Sequence, residues 1–120
     1  MSCVLVVDDD PLVGEVIAEA VSEGGMTVET ADSDRAAYPW ITALPTIGTL
    51  IIDIHLGVAT TGFEVARFAR QVIPDLGVLY VSGQVPPESF RSFGVPDRAF
   101  LMKPLAPAEL ATQLAKRVVP

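Results

Sequence analysis

The sequence predicts an α/β fold, an open parallel sheet of five strands with helices on both faces. Short apolar runs, most of them without polar alternation, are typical of parallel strands that are covered on both faces. Patterns of helical periodicity separate these runs, and right-handed crossovers turn such an alternation into a doubly wound sheet. The chain has 120 residues, of which 50% are hydrophobic and 19% are charged. This size and composition predict one domain, residues 1–120, with a single core.

Five segments are predicted to form the strands. Four are unalternating runs rich in Val, Ile and Leu, at Val4–Val7, Leu50–Ile52, Val78–Val81 and Ala99–Met102. The remaining segment, Met26–Ala31, alternates as an edge strand does.

The first helix has the clearest boundaries. Asp10 is a good N-cap, Pro11 suits the first helical position, and Gly24 and Gly25 end the pattern. Six apolar residues recur at helical spacing and are predicted to face the core: Leu12, Val13, Val16, Ile17, Ala20 and Val21.

Four more helices follow along the chain. Gly62–Ile73 and Pro107–Val119 are amphipathic. The residues predicted to face inward are Val65, Ala66, Ala69 and Val72 in the first of these, and Leu110, Ala111, Leu114 and Val118 in the second. Ser33–Leu44 contains Pro39, which should kink or split a helix because proline lacks the backbone N–H. Pro86–Phe93 is short and begins with two prolines.

Charge and cysteine content limit the classes of function. The net charge of −7 repels phosphate backbones, so we expect no direct binding to nucleic acid. The single cysteine, Cys3, lies in an apolar run and indicates a buried thiol in a reducing compartment. No export signal or membrane-spanning run is recognisable, so we expect a cytoplasmic protein.

A polar residue that can take part in chemistry follows each of the four strong apolar runs. Asp8 and Asp9 follow the first run, Asp53 the second, Ser82 the third and Lys103 the last. The carboxyl ends of parallel strands share one edge of the sheet, where ligands of open α/β folds bind. The sequence therefore predicts one site that contains all five residues.

The composition of this site indicates phosphoryl chemistry. Three converging carboxylates repel one another unless a cation intervenes, and an all-oxygen ligand set favours Mg²⁺ or Mn²⁺ over Zn²⁺. A lysine and a hydroxyl facing the metal supply what a phosphoryl group needs for transfer. In this interpretation Asp53 is the nucleophile.

Four segments carry a resemblance to a known family. Val4–Val13, Leu50–Ile54, Val81–Gly83 and Phe100–Pro104 resemble the signature stretches of response-regulator receiver domains of two-component signalling. The likeness covers nearly the whole chain, in order and at the family's spacing. It implies a flavodoxin-like (βα)5 fold with strand order 2-1-3-4-5.

The resemblance also implies the roles of the acidic residues. Asp53 corresponds to the aspartate that becomes an aspartyl-phosphate. Mg²⁺ would be held by Asp9, Asp53 and the backbone carbonyl of His55, with Asp8 assisting through water.

The resemblance further assigns the phosphoryl contacts and the conformational switch. Ser82 and Lys103 correspond to the residues that contact the phosphoryl oxygens, and Ser82 and Phe100 to the hydroxyl and the aromatic of the switch. A cis peptide is implied between Lys103 and Pro104.

Two departures from the family pattern stand out. The family usually has a proline four residues after the phosphorylated aspartate and a glycine eight residues after it. This chain has Gly57 and Thr61 at these two positions, and Gly62 follows one position later. We interpret this as a one-residue insertion in the loop Leu56–Thr61. At the switch position Phe100 replaces the commoner tyrosine and lacks its hydroxyl.

The implied partners are proteins. A histidine kinase or a histidine phosphotransfer protein would donate the phosphoryl group. An output protein would respond to it, or the phosphoryl group would be passed on in a phosphorelay. The chain is therefore not expected to be a conventional enzyme. We expect output, or a homodimer, through the face formed by Pro86–Phe93, the last strand and the last helix. The length leaves no room for a DNA-binding output domain, which predicts a stand-alone receiver. Met1 shortly before the first strand suggests a native start.

Two other functions are compatible with parts of the sequence. A receiver-like module could act through protein contacts without phosphorylation, and the altered loop 56–61 is the feature in its favour. A phosphohydrolase of the haloacid dehalogenase type would use Asp8 and Asp10 in its Asp-x-Asp motif. Leu12 departs from that motif, and the chain lacks both room for a cap domain and a late acidic pair.

Overall fold

The computed structural model describes residues 3–43, 47–56, 61–83, 95, 98–103 and 107–117, with only the backbone for 107 and 115–117. The predicted helix at 86–93, most of the loop 56–61 and Pro104 with its predicted cis peptide lie outside these residues. None of the described helices is both long and apolar enough to cross a membrane.

Five parallel strands form one sheet, as predicted. They are β1 (Cys3–Val7), β2 (Thr27–Ala31), β3 (Ile47–Asp53), β4 (Gly77–Ser82) and β5 (Arg98–Met102), in the order β2-β1-β3-β4-β5. This is the flavodoxin-like order. The strand with the alternating sequence, β2, lies at an edge, whereas the interior strands β1, β3 and β4 are almost wholly buried.

Four helices lie within the described residues: α1 (Pro11–Glu23), α2 (Asp34–Ala43), α3 (Gly62–Val72) and α4 (Pro107–Arg117). The predicted start of α1 is confirmed, because the Asp10 carboxylate accepts a hydrogen bond from the Leu12 N–H at 3.0 Å. This cap satisfies one of the free donors at the helix start and fixes the direction in which the chain leaves β1.

Two apolar layers cover the sheet. On one face α2 and α3 pack against the sheet through Ala37, Ile41, Val65, Ala66 and Ala69. On the other face α1 and α4 pack through Ile17, Val21, Leu110 and Leu114. Both faces of the central strands are therefore covered, and the polar residues Asp53 and Ser82 stand at the carboxyl ends of β3 and β4.

The second helix is predicted to be kinked or split at Pro39, and the structure shows that it is not split. Helix α2 runs without interruption from Asp34 to Ala43 with Pro39 inside it. Proline removes one hydrogen bond of the helix, but burial of Ala37 and Ile41 anchors the segment on both sides of it.

Four residues predicted to face the core are exposed. Leu12 is 72% and Val16 is 62% exposed, and Val72 and Ala111 are also exposed. The apolar arc of α1 is wider than the strip that the sheet covers. Gly14, Ile17 and Val21 occupy that strip, so Leu12 and Val16 are turned away from it.

Candidate functional site

The strand register brings the predicted site residues to one edge of the sheet. Asp53 ends β3 and pairs with Val81, so Ser82 lies one residue further along β4. Ser82 in turn pairs with Met102, and the Lys103 N–H donates to the Ser82 carbonyl at 2.8 Å. Lys103 is thereby fixed beside the end of β4.

Lys103 connects two of the acidic residues. Its Nζ lies 2.8 Å from Asp8 Oδ2 and 3.2 Å from Asp53 Oδ2. Asp8 and Asp53 are both buried, and the lysine side chain is about one-fifth exposed (21%). A single ammonium thus bridges two carboxylates that burial would otherwise leave unpaired.

Backbone N–H groups fix the other oxygen of each carboxylate. The Asp10 N–H donates to Asp8 Oδ1 at 2.9 Å, and the His55 N–H donates to Asp53 Oδ1 at 3.0 Å. The orientation of both side chains is therefore set by local turns at the ends of β1 and β3.

The electrostatic balance of the site is unfavourable for the ionised Asp53. Burial raises the pKa of Asp53, and the charge of Asp8 raises it further, whereas the His55 N–H and Lys103 lower it without cancelling the increase. Burial alone would lower the pKa of Lys103, but Asp8 and Asp53 outweigh it, so this pKa is raised. At neutral pH the lysine is therefore a fixed positive charge.

A third carboxylate, that of Asp9, belongs to the same cluster. Asp8, Asp9 and Asp53 each offer an oxygen within 4.8 Å of the other two, and Asp9 is exposed. Among the described residues the Lys103 ammonium pairs with two of the three carboxylates, which leaves this cluster with a net negative charge. Within the described residues Asp8 Oδ2 has no hydrogen bond besides its ion pair with Lys103. These hard oxygen donors suit a divalent cation of the Mg²⁺ type.

The two residues predicted to form a switch lie on neighbouring strands. Ser82 is fully buried at the end of β4, and Phe100 is half-buried in β5, opposite Tyr80. His55 is exposed, as expected of a loop residue, and pairs with Thr61 in a short antiparallel bridge. That bridge closes the loop that contains the predicted insertion.

Gly62 has a positioning function that the sequence analysis did not identify. Its N–H donates to the Ile54 carbonyl at 2.8 Å, and a Cβ at this position would clash with the backbone carbonyl of Asp53. Only glycine allows α3 to begin this close to β3. The signal in the sequence was Gly62 itself, which stands one position after the place where the family usually has a glycine.

Comparison with known proteins agrees with this geometry. Residues 4–115 match the family described as response regulator receiver domain. A search of curated proteins found no match.

Solved structures of similar fold include three bacterial proteins. A response regulator receiver protein from Sinorhizobium medicae is 27% identical, with a TM-score of 0.88 over 96% of this chain and 92% of that one. The N-terminal domain of a response regulator/sensory box/GGDEF protein from Carboxydothermus hydrogenoformans is 26% identical (TM-score 0.82, 97% and 93% covered). The chemotaxis protein CheY4 of Vibrio cholerae, at 24% identity, shares the fold (TM-score 0.86, 98% and 99% covered).

Proposed function

Because this chain belongs to the response regulator receiver domain family, we propose that it accepts a phosphoryl group on Asp53 from a phosphohistidine of a partner protein. The observation that carries the proposal is the position of Asp53. The side chain of Asp53 is 6% exposed, and its carboxylate is oriented by the His55 N–H and lies 3.2 Å from the Lys103 ammonium. Family members are signalling modules rather than conventional enzymes.

In the transfer, a carboxylate oxygen of Asp53 attacks the phosphorus. The oxygen–phosphorus bond forms as the nitrogen–phosphorus bond of the phosphohistidine breaks, and the imidazole leaves with the electron pair and takes up a proton. The His55 N–H holds one oxygen of Asp53, so that the other is directed towards Lys103. The ammonium of Lys103 would compensate the negative charge of the incoming phosphoryl oxygens.

Asp8, Asp9 and Asp53 would hold Mg²⁺, with the His55 carbonyl as a further ligand. When bound, Mg²⁺, or Mn²⁺ in its place, would neutralise phosphoryl charge at this site. Asp8 is already fixed by the Asp10 N–H and Lys103, so its carboxylate is oriented before any cation arrives. This preorganisation lowers the cost of assembling the ligands.

The phosphorylated state would be read by partner proteins. In our proposal Ser82 contacts the phosphoryl group and Phe100 responds on the neighbouring strand, shifting a population between two states. Output through the face that contains β5 and α4, and homodimerisation through that face, are parts of the same proposal.

Intact-protein mass spectrometry tests the assignment of Asp53. Incubation with Mg²⁺ and a small phosphodonor such as acetyl phosphate should add one phosphoryl group to the wild type and none to Asp53→Asn. Asp10→Asn is the matched control, because asparagine also caps a helix and Asp10 lies outside the carboxylate cluster. Equal phosphorylation of Asp53→Asn would refute the proposal.

A further inference from the structure

Tyr80 is a fully buried polar residue that takes no part in the proposed phosphoryl transfer. It lies in the interior strand β4, on the same face as Ser82, and is 0% exposed. A tyrosine hydroxyl taken out of water needs a hydrogen-bond partner. Among the described residues the backbone N–H of Val95, 15 positions along the chain, donates to the hydroxyl oxygen at 3.2 Å.

The ring of Tyr80 is held from the side of α3. Phe63 packs against it with ring centroids 5.3 Å apart and an interplanar angle of 56°. Phe63 directly follows Gly62, which is in close contact with the Asp53 backbone. Burial also raises the pKa of Tyr80, so the hydroxyl stays protonated at neutral pH.

The contact joins the strand that carries Ser82 to the chain that leads into β5. Val95 is 5% exposed and lies three residues before β5, and Tyr80 is paired with Phe100 in the sheet register. Phe100 has no hydroxyl, so it cannot accept a backbone hydrogen bond through its side chain. The acceptor for the Val95 N–H is the Tyr80 hydroxyl on the neighbouring strand.

We propose that Tyr80 is a positioning residue whose hydroxyl holds Val95 against β4 and thereby couples the Ser82 end of that strand to the approach to β5. The coupling to phosphorylation rests on the proposed function, whereas the positioning of Val95 does not. Any displacement of β4 at Ser82 would reach Val95 through this hydrogen bond.

Nuclear magnetic resonance of the full ¹⁵N-labelled chain tests both statements. Tyr80→Phe removes only the hydroxyl and leaves the ring. Tyr38→Phe is the matched control, because Tyr38 is half-buried and packs edge-to-face on Phe68. In the metal-free protein the Val95 amide should exchange with solvent at least about fivefold faster in Tyr80→Phe, and unchanged in Tyr38→Phe. Unchanged exchange in Tyr80→Phe would overturn the proposal.

The second measurement adds Mg²⁺ and beryllofluoride, a phosphoryl mimic. The His55 amide, which donates to Asp53, reports whether the site is filled. In the wild type the amide resonances of His55 and Val95 should both shift. In Tyr80→Phe the resonance of His55 should shift as it does in the wild type. The shift of the Val95 resonance should be less than about half of its wild-type value. An equal movement of Val95 in both proteins would refute the coupling. If His55 itself does not respond in the wild type, the proposed function fails, while the exchange measurement still decides the positioning of Val95.

Discussion

Replacing Asp53 by asparagine is expected to stabilise the folded protein at neutral pH. At an effective dielectric constant of about 20, two carboxylate oxygens repel by about 3.5 kcal/mol at 4.8 Å, the upper limit of the separations among Asp8, Asp9 and Asp53. Asp53 has two such neighbours, Asp8 and Asp9, and one attraction of about 5 kcal/mol to the Lys103 ammonium at 3.2 Å. Burial of the carboxylate is the main cost of the charge on Asp53. The unscreened charges add a net repulsion of about 2 kcal/mol to it.

Solvent screening of the exposed Asp9 reduces this net repulsion. We therefore expect Asp53→Asn to increase the free energy of unfolding by about 1–2 kcal/mol. The amide oxygen of asparagine can still accept the hydrogen bond from the His55 N–H. Urea denaturation at pH 7 measures the gain. Asp75→Asn, at an exposed turn, is the control and should change stability by less than about 0.5 kcal/mol.

The pH dependence gives the more specific test. Because the folded protein raises the pKa of Asp53, the favourable contribution of its protonated form is present below the unfolded pKa of about 3.9 and is lost as pH rises through the folded value. The difference in the free energy of unfolding between Asp53→Asn and the wild type should therefore be near zero in acid and should grow towards neutral pH. A variant less stable than the wild type at pH 7, or a gain independent of pH, would refute the reasoning.

Three further predictions concern single contacts. Thr49→Val should stabilise the protein by about 1 kcal/mol in urea denaturation, because the buried Thr49 hydroxyl has no hydrogen-bond partner among the described residues; a loss of stability would show that the hydroxyl is satisfied. Gly62→Ala should destabilise by about 2–4 kcal/mol through the clash with the Asp53 carbonyl, whereas Gly14→Ala, with open space around its Cβ, should be neutral or stabilising; equal effects would contradict the close contact. Mg²⁺ at 100 times its dissociation constant should stabilise the wild type by about 2.7 kcal/mol and Asp9→Asn much less; an equal rise in Tm for both proteins would argue against a site that includes Asp9.

The sequence alone was sufficient to predict the strands and to predict that Asp8, Asp53 and Lys103 lie together at one edge of the sheet. Unalternating runs such as Val78–Val81 are buried on both faces, so local composition identifies them as strands without knowledge of their neighbours. Asp8, Asp53 and Lys103 could be grouped before the structure was known because parallel strands present their ends at one edge. The strand order followed from the family resemblance and not from the pattern.

Which side of each helix is buried, and how closely the elements approach, was decided only by the tertiary structure. Helical periodicity marks Leu12 and Ile17 alike as apolar, but the sheet covers only the strip of α1 that contains Ile17. Pro39 has a poor helical propensity, yet its helix persists because residues on both sides pack against the core. The contact of Tyr80 with Val95 is set by packing across the sheet, and no spacing along the chain encodes it. Burial and hydrogen bonding depend on distances in space. Those distances are set only when residues that are far apart in the sequence pack together in the folded chain.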